Sequence, residues 1–244
     1  MKKLIKLFFH LFFKLKKIEK SKSKAEIFTN FFLGSKDKKQ IVEIALKTNS
    51  QLFQEVFVLN KLNFKKGGFF VEFGACDGIY YSNTFLLEQK YKWNGILAEP
   101  NNFWKQDLSF NRNCKISYGC ISNESGKEID FYEQEDLGLS GTIRRKKFFK
   151  TYKVQTISLN DLLVKYKAPK NFDYLSIDTE GTEYEIIKSL NFLKFRPKII
   201  TCEHNFTSKR ELIKKFLFEK DYAIYTDKNT KFDDWYFDND YFKN

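Results

Sequence analysis

The sequence predicts an α/β fold, a mostly parallel sheet carrying helices and fronted by further N-terminal helices. Three observations predict it. Short apolar runs recur through residues 69–205, and runs apolar throughout suit strands buried on both faces. Several end in an acidic residue, at Glu72, Glu99, Asp178 and Glu203. Two of them turn on glycines, at Gly74/Gly78 and Gly181, before a helical pattern resumes. With 244 residues, 42% apolar content, 3 Pro and 11 Gly, the chain suits one large domain with an appendage rather than a fibrous or disordered protein.

The net charge of +12 suggests nucleic acid only until it is located. Residues 1–24 hold nine Lys against Glu19, which places +8 there and leaves +4 for the other 220 residues. The basic character therefore belongs to a tail. Plotted at the helical repeat, Lys3, Lys6, His10, Lys14 and Lys17 form one stripe and Leu4, Leu7, Phe8, Leu11, Phe12, Leu15 and Ile18 the other. Lys6 and His10 interrupt it too often for a membrane span. The pattern fits peripheral contact with an anionic membrane surface through residues 1–20; packing on the domain and a targeting role are the alternatives. SKSK at 21–24 reads as a linker, and 25–66 as a helical cover without a chemical motif. The expected division is thus 1–24, 25–66 and 67–244. Cys76, Cys114, Cys120 and Cys202 form no closely spaced pair, so neither structural zinc nor a disulfide framework is expected, and a cytoplasmic location fits.

GGFFVEFGACDG (67–78) is the most informative stretch. Phe69–Phe73 reads as a buried strand with Glu72 near its carboxyl end, Gly74 and Gly78 bracket a turn, and Ser82, Asn83 and Thr84 offer caps for a helix. The spacing is E-x-G-x-x-x-G, not the G-x-G-x-x-G that cradles a pyrophosphate. An acid beside the turn repels phosphate but suits the ammonium of S-adenosylmethionine. NGILAEP (94–100) ends a second strand in Glu99, placed to accept ribose hydroxyls. KISYGCIS (115–122) reads as one third strand whose Ser122 reaches the adenine. The expected cofactor contacts are Glu72, Gly74, Ala75, Gly78, Ser82, Glu99, Pro100 and Ser122.

EDLGLSGTIRRKKFF (135–149) reads as a mobile loop with a basic cluster, a lid for an anionic acceptor or a solvated charge run. FDYLSIDTEGTEYEII (172–187) repeats the strand–acid–glycine–helix logic with Asp178, Glu180 and Glu183, and PKIITCEHN (197–205) ends in Glu203, His204 and Asn205. Strands of an open α/β sheet present ligands at their carboxyl ends, so these acids should face the same crevice as Glu72 and Glu99.

These pieces resemble the FkbM-type methyltransferases. The likeness rests on VEFGACDG, ILAEP, VQTISLNDLL (154–163) and above all SIDTEGTEYEII, and extends through EHN, Arg210 and DDWYF (233–237). The last features are closer to a subgroup with Star-like proteins. Ser176 stands where the family usually has Lys, and Thr179 where it usually has Val. The resemblance implies a Rossmann-like class I methyltransferase fold, with a seven-stranded, mostly parallel sheet and a terminal antiparallel strand. It also implies O-methylation of a sugar or other small-molecule hydroxyl.

For such a reaction His204, the one His outside the tail, is the first general-base candidate and Asp178 the second, with Glu180 beside them. A divalent cation on Asp178, Glu203 and Asn205 is the lesser expectation and no metal is favoured. The expected partner is a small-molecule or glycan acceptor. Nucleic acid is not expected, because the body is nearly neutral and DTEG stands where base-amino methyltransferases carry their Asp/Asn-Pro-Pro-aromatic sequence. A non-catalytic binding or membrane-trafficking protein on the same fold is the alternative.

Overall fold

The computed structural model describes residues 21–145, 148–225 and 230–243; the amphipathic segment expected over 1–20 lies outside the described residues. Among the described residues no helix is long and apolar enough to cross a membrane.

Three helices come first: α1 (Ser21–Gly34), α2 (Lys38–Ala45) and α3 (Gln54–Lys61). Helix α1 runs through the SKSK expected as a linker. Then follow β1 (Phe69–Phe73), α4 (Phe85–Tyr91), β2 (Asn94–Ala98), α5 (Lys105–Asn111) and β3 (Lys115–Ser117). A side branch of β4 (Cys120–Ser122), β5 (Glu128–Glu133) and β6 (Lys150–Ser158) leads into α6 (Leu159–Lys165). The chain continues with β7 (Tyr174–Ile177), α7 (Glu183–Ser189), β8 (Ile199–Glu203), α8 (Lys209–Phe218), β9 (Tyr222–Ile224), β10 (Asp233–Asp238) and α9 (Asn239–Phe242).

The large sheet has the order β3-β2-β1-β7-β8-β10-β9, parallel throughout except for β10, which runs against both neighbours. Strand order reverses between β1 and β7, and a crevice must open above their carboxyl ends. The central strands β1, β2, β7 and β8 are mostly apolar because both faces are covered. Phe70 joins the core built with α1–α4, whereas Val71 and Phe73 join Leu162, Ile186 and Leu217 of α6–α8. The N-terminal helices are fastened by aromatic contacts: Trp235 of β10 has ring centroids 4.9 Å from Phe57 and 6.1 Å from Phe31.

The third strand corrects the sequence reading. Lys115–Ser122 is not one strand: β3 ends at Ser117, and β4 pairs in parallel with β6 in a separate three-stranded sheet. The break falls at Gly119, where a β-carbon would lie 2.9 Å from Ile157 of β6. The chain there must press against β6, and only glycine fits. Ser122 consequently sits in the side sheet, where its hydroxyl bonds Asn123, and not at the carboxyl end of β3.

Candidate active site

The β1 turn and the β7 turn meet directly. Gly74 has φ 72°, and a β-carbon there would lie 2.3 Å from the backbone oxygen of Asp178. Glycine is required twice over, by the left-handed backbone and by the close approach. Gly78, φ 83°, is likewise pressed against Arg112 and Leu108.

Glu72 lies in β1 with 2% exposure, and its carboxylate is engaged by the chain itself. It accepts from Ser82 Oγ at 3.0 Å, the Asn83 amide at 2.6 Å and Thr84 Oγ1. Burial pushes its carboxyl group upward, and Arg112, 3.8 Å away, opposes this. Each oxygen already accepts from the chain, so Glu72 anchors the segment that opens α4. Ser82 is drawn into the same work: its Oγ also accepts from the Thr84 and Phe85 amides, closing the first turn of α4. Ser82 is 2% exposed and Ala75 1%, while Pro100 is half-buried.

Arg112 was not visible as a site residue in the sequence, yet it organises this region. It donates to Glu88 at 2.7 Å, to the Gly78 carbonyl at 3.0 Å, to Ser82 Oγ at 3.2 Å and to Thr84 Oγ1 at 2.9 Å. A usable signal existed. Arginine is scarce in this lysine-rich chain, and its planar fork is hard for lysine to replace where carboxylates are gripped. Arg145, Arg196 and Arg210 also hold carboxylates, those of Glu180, Asp238 and Asp234.

Glu99 follows β2 and is 5% exposed. It accepts from the Cys76 amide at 2.9 Å and the Asn101 amide at 2.8 Å, tying the end of β2 to the β1 turn. Burial raises its carboxyl to about 7. Each oxygen holds one N–H and keeps lone pairs for a further donor. Asn101 beside it is buried and has an Nδ2 without a hydrogen-bond partner.

The DTEG turn is held from behind. Glu183 is buried and its Oε1 accepts from the Thr179 amide and hydroxyl, both at 3.0 Å, and from the Gly181 amide at 2.9 Å. Three donors on one oxygen explain how Glu180 (φ 60°) and Gly181 (φ 119°) hold a left-handed bend. Glu183 is therefore structural. Asp178, Glu180 and Glu203 each bring one carboxylate oxygen to a group whose members lie within 4.8 Å of one another. Desolvation, then Glu203 and Glu180, push Asp178 well above the usual carboxylate range. Burial, then Glu180 and Asp233, raise Glu203 to about 8. Arg145 pairs with Glu180, so the basic cluster of 135–149 faces the site's acids through this residue. Ile143 from the same segment packs on Gly181, where a β-carbon would sit 2.6 Å from its side chain.

His204 corrects the order of base candidates. It is 3% exposed, and its Nδ1 accepts from the Phe206 amide at 3.0 Å. That bond assigns the neutral ring's proton to Nε2, which faces Asp234 at 3.7 Å. Desolvation lowers its pKa, Asp234 opposes, and Arg210 adds to the lowering. A neutral imidazole whose free nitrogen is already bonded is not poised to take a proton. Asn205 is exposed.

A small cleft lies where the strand order reverses, lined by Asn83, Ser176, Asp178 and Asp233 and by Gln51 and Gln54 from the N-terminal cover. Gln54 Nε2 donates to Asp233 at 2.7 Å across a separation of 179 residues. The cover, read from sequence as chemically silent, thus supplies part of the wall.

The chain matches the family model described as methyltransferase FkbM domain over residues 72–234. Among solved structures it is similar to an FkbM methyltransferase from Methylobacillus flagellatus, with 12% identity, 87% of this chain and 58% of that chain covered, and a TM-score of 0.47. It is also similar to a precorrin-6y C5,15-methyltransferase from Geobacter metallireducens (10% identity, 75% and 84% covered, TM-score 0.44). A putative RNA methyltransferase from Pyrococcus horikoshii gives 11% identity, 71% and 66% coverage and a TM-score of 0.39. Comparison with curated proteins gave no match. With the domain match running from the acid of β1 to the second residue of β10, the chain belongs to the FkbM methyltransferase domain family.

Proposed function

We propose that this protein transfers the methyl group of S-adenosylmethionine to a hydroxyl of a sugar, glycan or other small molecule. The observation that carries the reading is the joined turn. Gly74 stands against Asp178 at the point of strand reversal, with a carboxylate-lined cleft beside it. A phosphate-bearing nucleotide is disfavoured there by the acids. A ligand with a sulfonium and an ammonium is favoured.

The residues present fit this cofactor. Glu99 keeps acceptor capacity for ribose hydroxyls, and the unpartnered Asn101 Nδ2 is a buried donor next to it. When bound, S-adenosylmethionine supplies an electrophilic methyl on a positively charged sulfur. The chain's task is to exclude water and align the acceptor oxygen. Asp178, at the tip of β7, takes the place beside that oxygen which the sequence assigned first to His204, because the Asp178 carboxylate has no ion-pair partner among the described residues and a raised proton affinity. A membrane contact through residues 1–20 would bring a lipid-linked acceptor to the site and belongs to the same proposal.

Calorimetric titration with S-adenosylmethionine, followed by mass spectrometry of cell glycans with and without the protein, tests the reading. Cofactor binding and a methyl mass difference on a hydroxyl-bearing glycan are expected. Absence of cofactor binding refutes the methyltransferase, and binding without any methylated product refutes the acceptor class.

A further inference from the structure

We infer that Asp178, Glu180 and Glu203 form a site for a hard divalent cation such as Mg²⁺ or Mn²⁺ at the mouth of the methyl-transfer cleft. The use of the site rests on the proposed function, but its existence does not.

The first argument is geometric. Three carboxylate oxygens from the tips of β7 and β8 lie within 4.8 Å of one another. Oxygens bound to one ion at about 2.1–2.4 Å lie at most about 4.2–4.8 Å apart, so the three separations fall within reach of a shared ion.

The second argument concerns unmet acceptors. Glu203 is 7% exposed and its Oε2 has no hydrogen-bond partner; Asn83 is 9% exposed and its Oδ1 has none. Asn83 lines the cleft together with Asp178. Buried polar atoms are ordinarily satisfied. Both of these are acceptors, and Glu203 belongs to the carboxylate group itself, so the place lacks a donor or a cation.

The third argument is the scarcity of cationic partners. Three carboxylates meet there, and Arg145 on Glu180 is the one guanidinium paired with any of them among the described residues. Neither Asp178 nor Glu203 forms an ion pair among the described residues. Among the described residues Arg210 holds Asp234, and Lys209 bonds the Gly181 carbonyl and Glu185. Oxygen-only ligands select Mg²⁺, Mn²⁺ or Ca²⁺ over zinc or copper. Mg²⁺ and Mn²⁺ keep open positions for water, and a polyhydroxy acceptor fills such positions with its own oxygens. The cation would thereby select acceptors with neighbouring oxygens.

Titration of the full chain with Mn²⁺ alone, followed by the loss of the free-ion electron paramagnetic resonance signal, tests this. One ion per chain is expected, displaced by Mg²⁺ and weakened roughly tenfold or more by Glu203→Gln. Glu180→Gln, at a half-buried position, serves as the second variant if Glu203→Gln fails to fold. Glu185→Gln, on the solvent side of α7, leaves binding unchanged. Failure of the parent chain to bind Mn²⁺ at millimolar concentration overturns the site, as does a folded Glu203→Gln or Glu180→Gln that binds like the parent. A parallel titration with S-adenosylmethionine separates the two readings. Cofactor bound without Mn²⁺ sinks the cation site alone. Mn²⁺ bound without cofactor keeps the site and sinks the methyltransferase.

Discussion

Replacing Arg112 by methionine tests whether a single buried guanidinium holds the β1 turn in place. Methionine keeps most of the apolar stem, so the change removes charge and hydrogen bonds with little loss of volume. The side chain is 0% exposed and makes four hydrogen bonds, to Glu88, Gly78, Ser82 and Thr84. It also lies 5.5 Å from the Phe70 ring centroid and 5.8 Å from that of Phe85. Removing it strands Glu88, and behind it Glu72, as buried carboxylates. Breaking a buried pair from one side costs about 3–5 kcal/mol, because the abandoned charge keeps its desolvation penalty. For a chain of this length each kcal/mol is worth roughly 2–4 °C, so the melting temperature should fall by roughly 6–20 °C. Arg112→Lys should restore little, since one ammonium cannot serve four acceptors in a planar fork. Urea denaturation of the parent, Arg112→Met, Glu88→Gln and the double variant gives the coupling energy directly. The double variant should recover at least about 1 kcal/mol relative to additivity, since Glu88→Gln removes the stranded charge. A loss below about 1 kcal/mol for Arg112→Met, the size of an exposed pair, or strict additivity in the cycle, refutes the argument.

Two further outcomes follow from the site. Burial raises the carboxyls of Glu55, Glu99 and Asp233 to about 7. Each binds its proton more tightly folded than unfolded, so its contribution is complete below the unfolded value and is lost as pH rises through about 7. Stability in urea should therefore fall between about pH 5 and pH 8, and Glu99→Gln should flatten that slope; an unchanged slope counts against the buried Glu99 carboxyl. His204→Asn should retain turnover within about tenfold on the acceptor that mass spectrometry identifies, since a general base contributes about 10²–10⁴-fold; a loss in that range restores His204 as the base.

Much of the architecture was legible locally. A parallel strand covered on both faces has to be mostly apolar, and Phe69–Phe73 and Tyr174–Ile177 could be little else. Gly74 was legible because a turn after a strand calls for glycine, although the reason turned out to be the Asp178 carbonyl as well as the dihedral. The site was legible as a list of acids but not as a division of labour. Glu72, Glu99, Asp178 and Glu183 look alike in sequence. Only their partners separate an anchor from a wall and a hinge from a candidate ligand, and those partners lie on other elements.

The sequence by itself determined where the central strands lie and where acids cluster, because burial on two faces and tight turns constrain residue type at the position concerned. The tertiary structure alone decided which carboxylate is consumed by the scaffold, that Lys115–Ser122 splits between two sheets, that Gln54 of the cover reaches Asp233, and that His204 has spent its nitrogen on Phe206. The physical reason is that hydrogen-bond and ion-pair partners are chosen by packing across long separations. Residue periodicity reports the face a side chain occupies, and never what waits there.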